Sequence, residues 1–254
     1  MIGLIPLYSG SDGNAALVKT DEVSLLFDCG GSCRSLECAL RTAGTDPASV
    51  DAVFITHEHS DHISAAEVFS KKYGIPIHIT KQSAYALGDN AAACAVVHPP
   101  VCSVTVGDAT VESFVLPHDS EMCVGYRVTN GGGSVGIATD MGTADAAEDA
   151  LSGCRAVMIE ANHDEAMLRS GPYPADLKMR IASGHGHLSN AACGRLAVAL
   201  AKSGTAKIVL AHLSRENNTP EKAENEIRRA LGDAGFSSVE VAVCPSRRSL
   251  TVMK

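Results

Sequence analysis

The segment Thr56–His62 reads THEHSDH and follows directly on the apolar run Asp51–Thr56, DAVFIT. A continuous apolar run of this length reads as a buried strand. His57 and His59 are two residues apart on extended chain, so both side chains can point to one side. Asp61 and His62 follow where the chain turns, with Ser60 placed to cap a helix running to Gly74. The four ligand-type side chains can therefore converge on one spot. Neutral imidazole suits zinc, iron and manganese, and a carboxylate adds charge and hardness. A solvated helix N-terminus tolerates one Asp or one His, but it gives no reason for H-x-H-x-D-H after a buried strand. Four donors in so short a segment exceed what one tetrahedral ion takes from it. Two adjacent ions sharing further ligands from elsewhere account for it better.

The rest of the chain alternates in the same manner. Met1–Leu7, Ala15–Lys19 and Val23–Asp28 read as strands, with SGSDGN (9–14) as the first turn. Ser35–Ala43 reads as a short helix. After IPIHIT (75–80) a helix is expected near Ser83–Ala92, then CSVTV and ATVESFVLPH about the turn at Gly107–Asp108. EMCVGYRVTN and SVGIATD flank a glycine run and read as a hairpin. Beyond Asp140, helix and strand alternate: ADAAEDALSG, AVMIEAN, SNAACGRLAVALAKSG capped by Ser189, KIVLAH, PEKAENEIRRALGDAG and VEVAV. The expected class is α/β, with two sheets packed face to face, helices outside, and no linker between the halves. Each half holds a buried strand that ends in a histidine, AVFIT before His57 and KIVLA before His212. Strand ends deliver such side chains to one rim, where loops assemble a site.

Composition narrows the function. Of 254 residues, 45% are hydrophobic and 20% charged, which is ordinary for a buried-core domain. Net charge is −8, against the basic balance usual in proteins held to nucleic acid by phosphate neutralisation. Aromatics are 4% and tryptophan is absent, so a surface of stacked rings is not expected. The first residues lack a basic region, and Pro6, Ser9, Gly10 and Asp12 break their apolar run. Neither a signal peptide nor a membrane span is expected. The nine cysteines form no C-x-x-C pair and read as reduced thiols of a cytoplasmic protein. CGGSC (Cys29–Cys33) is a weaker thiol-site alternative whose spacing is loose, and the stretch Cys29–Cys38 has no assigned role.

THEHSDH resembles the signature of the metallo-β-lactamase superfamily, and the resemblance extends over nearly the whole chain. It implies a four-layer αββα sandwich with two mixed sheets, as one hydrolase domain over 1–254. LLFDCG matches the early strand whose aspartate, Asp28, would orient a ligand histidine. VLPHDS supplies His118, GIATDMG supplies Asp140 as the carboxylate shared by both ions, and LAHLSREN supplies His212. The implied sites are His57, His59, His118 and Asp140, and Asp61, His62, Asp140 and His212. The implied cofactors are two divalent ions, Zn²⁺ or Mn²⁺, with Fe²⁺ as a third option. Within the superfamily, SGSDGN, FITHEHSDHI, IEANHD, GHLSNAA and LAHLSRENN resemble the YycJ/WalJ group, which implies 5′-to-3′ DNA exonuclease chemistry. Asp12 departs from the group, which usually has Ser there, and sets a negative charge near any phosphate path.

Such a pair of ions, about 3.5–4 Å apart, makes hydroxide available near pH 7 and neutralises charge on the attacked group. The cluster therefore implies a hydrolase, while substrate class depends on what surrounds it. Glu160 ends a strand and His187 precedes a capped helix. By analogy with tRNA-processing nucleases of the superfamily, Glu160 would keep His187 charged and His187 would protonate the leaving oxygen. The catalytic set is thus Asp61, Glu160 and His187. His163 is a further candidate beside a ligand or substrate, whereas His185 reads as an ordinary surface residue. Arg215, Arg180, Ser189 and Asn190 are candidates for substrate contact, the helix after Ser189 offering N–H groups to an anion. Arg169 and Lys178 add to a basic patch only if they share a face. The expected function is a dinuclear phosphodiesterase acting on nucleic acid, DNA rather than RNA. The alternatives are a hydrolase of a small thioester or lactone, and a metal-binding regulatory protein without turnover.

Overall fold

The computed structural model describes residues 1–88 and 93–247. Among them the first half of the chain forms one sheet in chain order: β1 (Gly3–Tyr8), β2 (Ala15–Lys19), β3 (Ser24–Phe27), β4 (Ala52–Phe54), β5 (Ile77–Thr80) and β6 (Ala95–His98). The second half forms another, again in chain order: β7 (Ser103–Val106), β8 (Ala109–Leu116), β9 (Cys123–Asn130), β10 (Gly133–Ala138), β11 (Ala156–Glu160), β12 (Lys207–Ala211) and β13 (Glu240–Val243). Both sheets begin with antiparallel strands and change to parallel pairing, at β3–β4 and at β10–β11. Parallel neighbours need crossovers. These carry α1 (Cys33–Thr42), α2 (Ser60–Ile63) and α3 (Ala66–Tyr73) in the first half. In the second half they carry α4 (Asp145–Leu151), α5 (Glu165–Ser170), α6 (Ala175–Ile181), α7 (Asn190–Lys202) and α8 (Pro220–Asp233).

Alternation along the strands explains the layering. In β3, Leu25 and Phe27 face the second sheet, while Leu26 faces α1 and α3. In β12, Val209 and Ala211 face the first sheet, while Ile208 and Leu210 pack under α7 and α8. Strands covered on both faces read as continuous apolar runs, which is why DAVFIT and KIVLA lack a polar side. Three cores result, one between the sheets and one under each helical layer, giving the four-layer αββα sandwich that the resemblance implies. Between the sheets, Phe27 lies 5.4 Å from Phe54 and 5.2 Å from Tyr126, centroid to centroid. Burying each of these rings contributes about 1.5–3 kcal/mol. Tyr126 also donates its hydroxyl to the Ile55 carbonyl at 2.6 Å, and the Val124 N–H donates to Thr56 O at 3.1 Å. The second sheet thus grips the first at the two residues preceding His57.

Several elements differ from the sequence reading. The strand before His57 stops at Phe54, since Ile55 and Thr56 turn their backbones to β5, β9 and Asp28. Ser60 does not cap a helix: His59 holds the N-cap position without a side-chain bond. The expected helix from Ser60 to Gly74 is also broken. Ala65 N–H donates to the Cys29 carbonyl, and Cys29 N–H to the His62 carbonyl, so the break is tied to the loop after β3. Of the helix expected at Ser83–Ala92, the structure has a 3₁₀ turn at Ala84–Ala86, and residues 89–92 lie outside the described residues. β6, α5 and α6 were not anticipated; α6 buries none of its residues and so carries no core-facing stripe. No described helix is long and apolar enough to cross a membrane.

Candidate metal centre

The rim is formed where β3, β4, β10, β11 and β12 end. Three non-glycine residues there have left-handed backbones: Asp28 (φ 59°), Asp140 (φ 60°) and His212 (φ 53°). This conformation costs an ordinary L-residue about 1–2 kcal/mol and Asp or His less, and it persists where the surroundings over-determine it. For His212 the N–H is held by Ser9 Oγ at 2.8 Å; for Asp28 the N–H is held by Phe54 O at 2.9 Å. Asp28 and Asp140 occupy equivalent places, each closing the strand at which its sheet turns from antiparallel to parallel. Gly30 lets the loops close: a Cβ there would lie 1.7 Å from the Asp61 carbonyl oxygen.

These turns bring together His57, His59, Asp61, His62, His118, Asp140 and His212. Donor atoms of His57, His59 and His118 lie within 4.8 Å of one another, as do those of Asp61, His62 and His212. Asp140 stands between the groups and is 2% exposed. Its Oδ2 is 3.0 Å from His62 Nε2, and its Oδ1 is 3.3 Å from His212 Nδ1 and 3.8 Å from His118 Nε2. The other ring nitrogens are held from behind. His62 Nδ1 meets Asp28 Oδ2 at 2.8 Å, His118 Nδ1 meets Gly186 O at 3.1 Å, and His57 Nδ1 meets Thr56 Oγ1 at 3.0 Å. Asp28 itself is fixed by the Thr56 N–H at 2.9 Å. Nε2 of His57 and Nε2 of His118 are buried without an aligned hydrogen bond, although Asp119 Oδ1 lies 3.2 Å from the latter. Buried polar atoms left in that state are costly. Aimed at a common point, with Nδ1 fixed behind, they fit a divalent cation.

Electrostatics agree. Burial raises the carboxyl pKa of Asp61 and Asp140, but the surrounding histidines outweigh it and hold both well below the ordinary range. Burial lowers His62 and His212, yet Asp28 and Asp140 at the former, and Asp140, Asp61 and Glu160 at the latter, bring them above it. His57 and His118 are lowered, mainly by burial. The carboxylates are thus ionised and ready for a cation, whose binding would displace protons from His62 and His212.

Glu160 is fully buried at the end of β11. Its Oε1 accepts from His187 Nδ1 at 2.8 Å and stands 3.0 Å from His212 Nδ1; its Oε2 accepts from Met141 N–H and Leu188 N–H. Burial works against a charged His187, but the charge and hydrogen bond of Glu160 outweigh it and raise the imidazole pKa. His187 lines the same cleft of about 300 Å³ as His59, Asp61, His118, Asp140 and His212.

Other candidates fall in varied places. Arg180 lines that cleft and is paired with Asp119, which lies 3.2 Å from His118 Nε2. Arg215 is turned onto Asp12. Ser189 caps α7 by accepting the Ala192 N–H, and its hydroxyl donates to Glu165. Asn190 is buried, with its amide spent on Asn218. His163 is buried and lines a neighbouring cleft with His187, Arg169 and Ser189. Lys178 donates to the Arg169 carbonyl. His185 is exposed, and no cysteine joins a candidate metal cluster among the described residues. Sequence reasoning missed Asn14, whose amide reaches His62 Nε2 at 3.0 Å and Asp61 Oδ2 at 3.2 Å. It also missed Asn162, which donates to the His212 carbonyl at 2.9 Å. Both stand in stretches singled out for other reasons, SGSDGN and EANHD, and neither has a spacing that marks it.

Two facing mixed sheets with a His/Asp cluster at one rim define a metallo-hydrolase. The chain belongs to the beta-lactamase superfamily, whose domain model matches residues 24–213. It is similar to exodeoxyribonuclease YycJ of Bacillus anthracis, 34% identical over 235 residues covering 91% of this chain and 89% of that one. It is similar likewise to exodeoxyribonuclease WalJ of Streptococcus pneumoniae, 35% identical over 235 residues, 90% and 87% of the two chains. Among solved structures, the metallo-beta-lactamase fold protein YhfI of Bacillus subtilis superposes with a TM-score of 0.73. It has 21% identity over 96% of this chain and 97% of that one, a likeness of fold. The fold and the donor set imply divalent-metal binding.

Proposed function

We propose that this protein is a dinuclear metal-dependent phosphodiesterase that cleaves DNA, an exonuclease of 5′-to-3′ polarity. His57, His59, His118 and Asp140 would hold one ion, and Asp61, His62, Asp140 and His212 the other, with Zn²⁺ or Mn²⁺ fitting this donor set. When bound, such ions lower the pKa of water and offset charge on the attacked group. The rest falls to the chain. Asp28, Thr56 and Gly186 fix the tautomers of the ligand histidines. Glu160 holds His187 by Nδ1, which leaves Nε2–H to be given to a leaving alkoxide. A phosphodiester has a poor leaving group and gains from such an acid more than a thioester does.

The observation that carries this reading is the Glu160–His187 pair beside the metal cluster, its carboxylate buried and its imidazole opening on the cleft. Likeness to two exodeoxyribonucleases over nine-tenths of the chain supports DNA as substrate. All nine cysteines are unpaired, which suits the reducing cytoplasm we assign to it. The test is hydrolysis of bis-p-nitrophenyl phosphate and of end-labelled DNA with metal added back. His187→Ala should cut turnover of end-labelled DNA by about 10²–10⁴-fold with metal content unchanged, and that of bis-p-nitrophenyl phosphate, whose p-nitrophenolate leaves without an acid, much less. Loss of metal together with turnover would make His187 a ligand and reject it as the acid.

A further inference from the structure

Three chain segments meet beside the metal cleft at Ser9. Its N–H donates to the Pro245 carbonyl at 3.0 Å, its hydroxyl donates to Asn14 Oδ1 at 2.6 Å, and it accepts from His212 N–H at 2.8 Å. The turn Ser9–Asn14 is thereby fixed to the chain leaving β12 toward Arg215 and to the chain leaving β13 toward Arg247. Asn14, at the end of this turn, touches Asp61 and His62. Ser11 and Ser214, the sequence neighbours of Asp12 and Arg215, line the metal cleft.

On this frame one carboxylate oxygen, Asp12 Oδ2, receives two guanidinium groups, Arg215 Nη2 and Arg247 Nη2, the latter at 3.5 Å. The stem of Arg247 lies in a slot floored by Gly31, where a Cβ would come 2.7 Å from Arg247 Cδ. Side-chain exposure is 37% for Arg215 and 29% for Arg247, against 15% for Asp12. The carboxylate is thus the most covered of the three; Arg215 is the more open guanidinium, while Arg247 keeps its Nε buried over Gly31. The trio carries one net positive charge on a chain of net −8. The negative charge of Asp12 is offset by its partners rather than turned on a passing anion.

A carboxylate shared by two guanidiniums pre-orients their planar forks, and such forks match phosphate oxygens. We propose that Asp12, Arg215 and Arg247 form a clamp for a substrate phosphate other than the one being cut. The clamp sets which linkage along the strand enters the metal centre. It rests on the nucleic-acid reading above and deepens it: the recognised group is a phosphate at a fixed reach from the scissile one. That phosphate is either the 5′-terminal monoester or the adjoining internal diester, and one experiment separates them.

Binding is followed by fluorescence anisotropy with the metal-loaded protein and 3′-labelled single strands whose phosphorothioate linkages resist hydrolysis. Three strands are compared: 5′-phosphorylated, 5′-hydroxyl, and 5′-phosphorylated with one neutral methylphosphonate at the first internal linkage. Wild type should lose roughly ten-fold in affinity on removal of the clamped charge, the scale of a lost charge-assisted hydrogen bond. Whichever strand shows the loss names the phosphate. Arg215→Ala and Arg247→Ala should bind the parent strand about ten-fold more weakly and become indifferent to that same removal. Both variants should lose far more on DNA than on bis-p-nitrophenyl phosphate, which has no second phosphate. The proposal is overturned if the variants lose affinity equally for all three strands, lose none, or lose bis-p-nitrophenyl phosphate hydrolysis as much as DNA hydrolysis. If DNA is bound in the expected pattern but never cut, the nuclease reading fails and the clamp stands. If DNA is cut without the pattern, the clamp alone fails.

Discussion

Asp28→Asn is the sharpest probe of the metal centre, because it removes one function of Asp28 and keeps the rest. Asp28 Oδ1 accepts from Thr56 N–H at 2.9 Å and Oδ2 meets His62 Nδ1 at 2.8 Å, so two N–H donors approach different oxygens. Asparagine has one oxygen, so one donor must face an NH₂ group. If that donor is His62, the ring can avoid the clash only by moving its proton to Nε2, the atom aimed at the ion. The backbone is a separate matter. Asp28 sits at φ 59°, which Asn tolerates better than most residues, whereas Asp28→Ala would add about 1–2 kcal/mol of strain and confound the result. Loss of an outer hydrogen bond to a metal-bound histidine typically costs 10–100-fold in affinity, about 1.4–2.7 kcal/mol. Competitive zinc titration against a chromogenic chelator reads this directly. The expectation is a weakening confined to the ion near His62, with the ion near His57, His59 and His118 little changed. Two ions bound by Asp28→Asn as tightly as by wild type would refute the reasoning, as would equal weakening of both.

Glu160→Gln should reduce turnover and also weaken the ion beside His212, since Glu160 Oε1 faces both His187 and His212. Glu160 raises the pKa of His187, so activity should fall on the alkaline side as His187 deprotonates. In Glu160→Gln that fall should move to lower pH, and a pH–rate profile with an unmoved alkaline limb would contradict the pairing. Gly30→Ala should destabilise by about 1–3 kcal/mol or more and disturb Asp61, because its Cβ would overlap the Asp61 carbonyl. Urea unfolding measures this, and an unchanged midpoint would count against the close approach. In chelated protein, the raised pKa of His62 and His212 stabilises the fold fully below their unfolded value of about 6.5, and the contribution is lost as pH climbs through the folded values. The lowered Asp61 and Asp140 contribute above about 3.9 and lose that contribution as pH falls. Thermal melts across pH should show both limbs without metal, and saturating zinc should flatten the alkaline one.

Much of the centre is legible in local pattern. THEHSDH announces itself because its donors are close in sequence. Asp28, His118, Asp140 and His212 were placed through the resemblance to the superfamily, each at a strand end in the expected order; a lone aspartate or histidine at a strand end carries no such signal. What fails is what depends on partners distant in the chain. Ser60 looks like a helix cap, yet the loop after β3 holds this corner and breaks the helix. Asn190 looks like a substrate contact until Asn218 is seen to occupy its amide. Asp12 looks harmful to a phosphate path until Arg215 and Arg247 are found upon it.

Residue order determined the two sheets, because strands buried on both faces must read as apolar runs, and it determined the chemical type of the donors. For His62, His118 and His212, tertiary structure decided which nitrogen faces the centre, since that depends on Asp28, Gly186 and Glu160 approaching from distant parts of the chain. It also decided that Asp28, Asp140 and His212 adopt left-handed backbones. Aspartate and histidine tolerate that conformation better than most residues without requiring it; contacts from elsewhere in the fold hold it against its remaining cost.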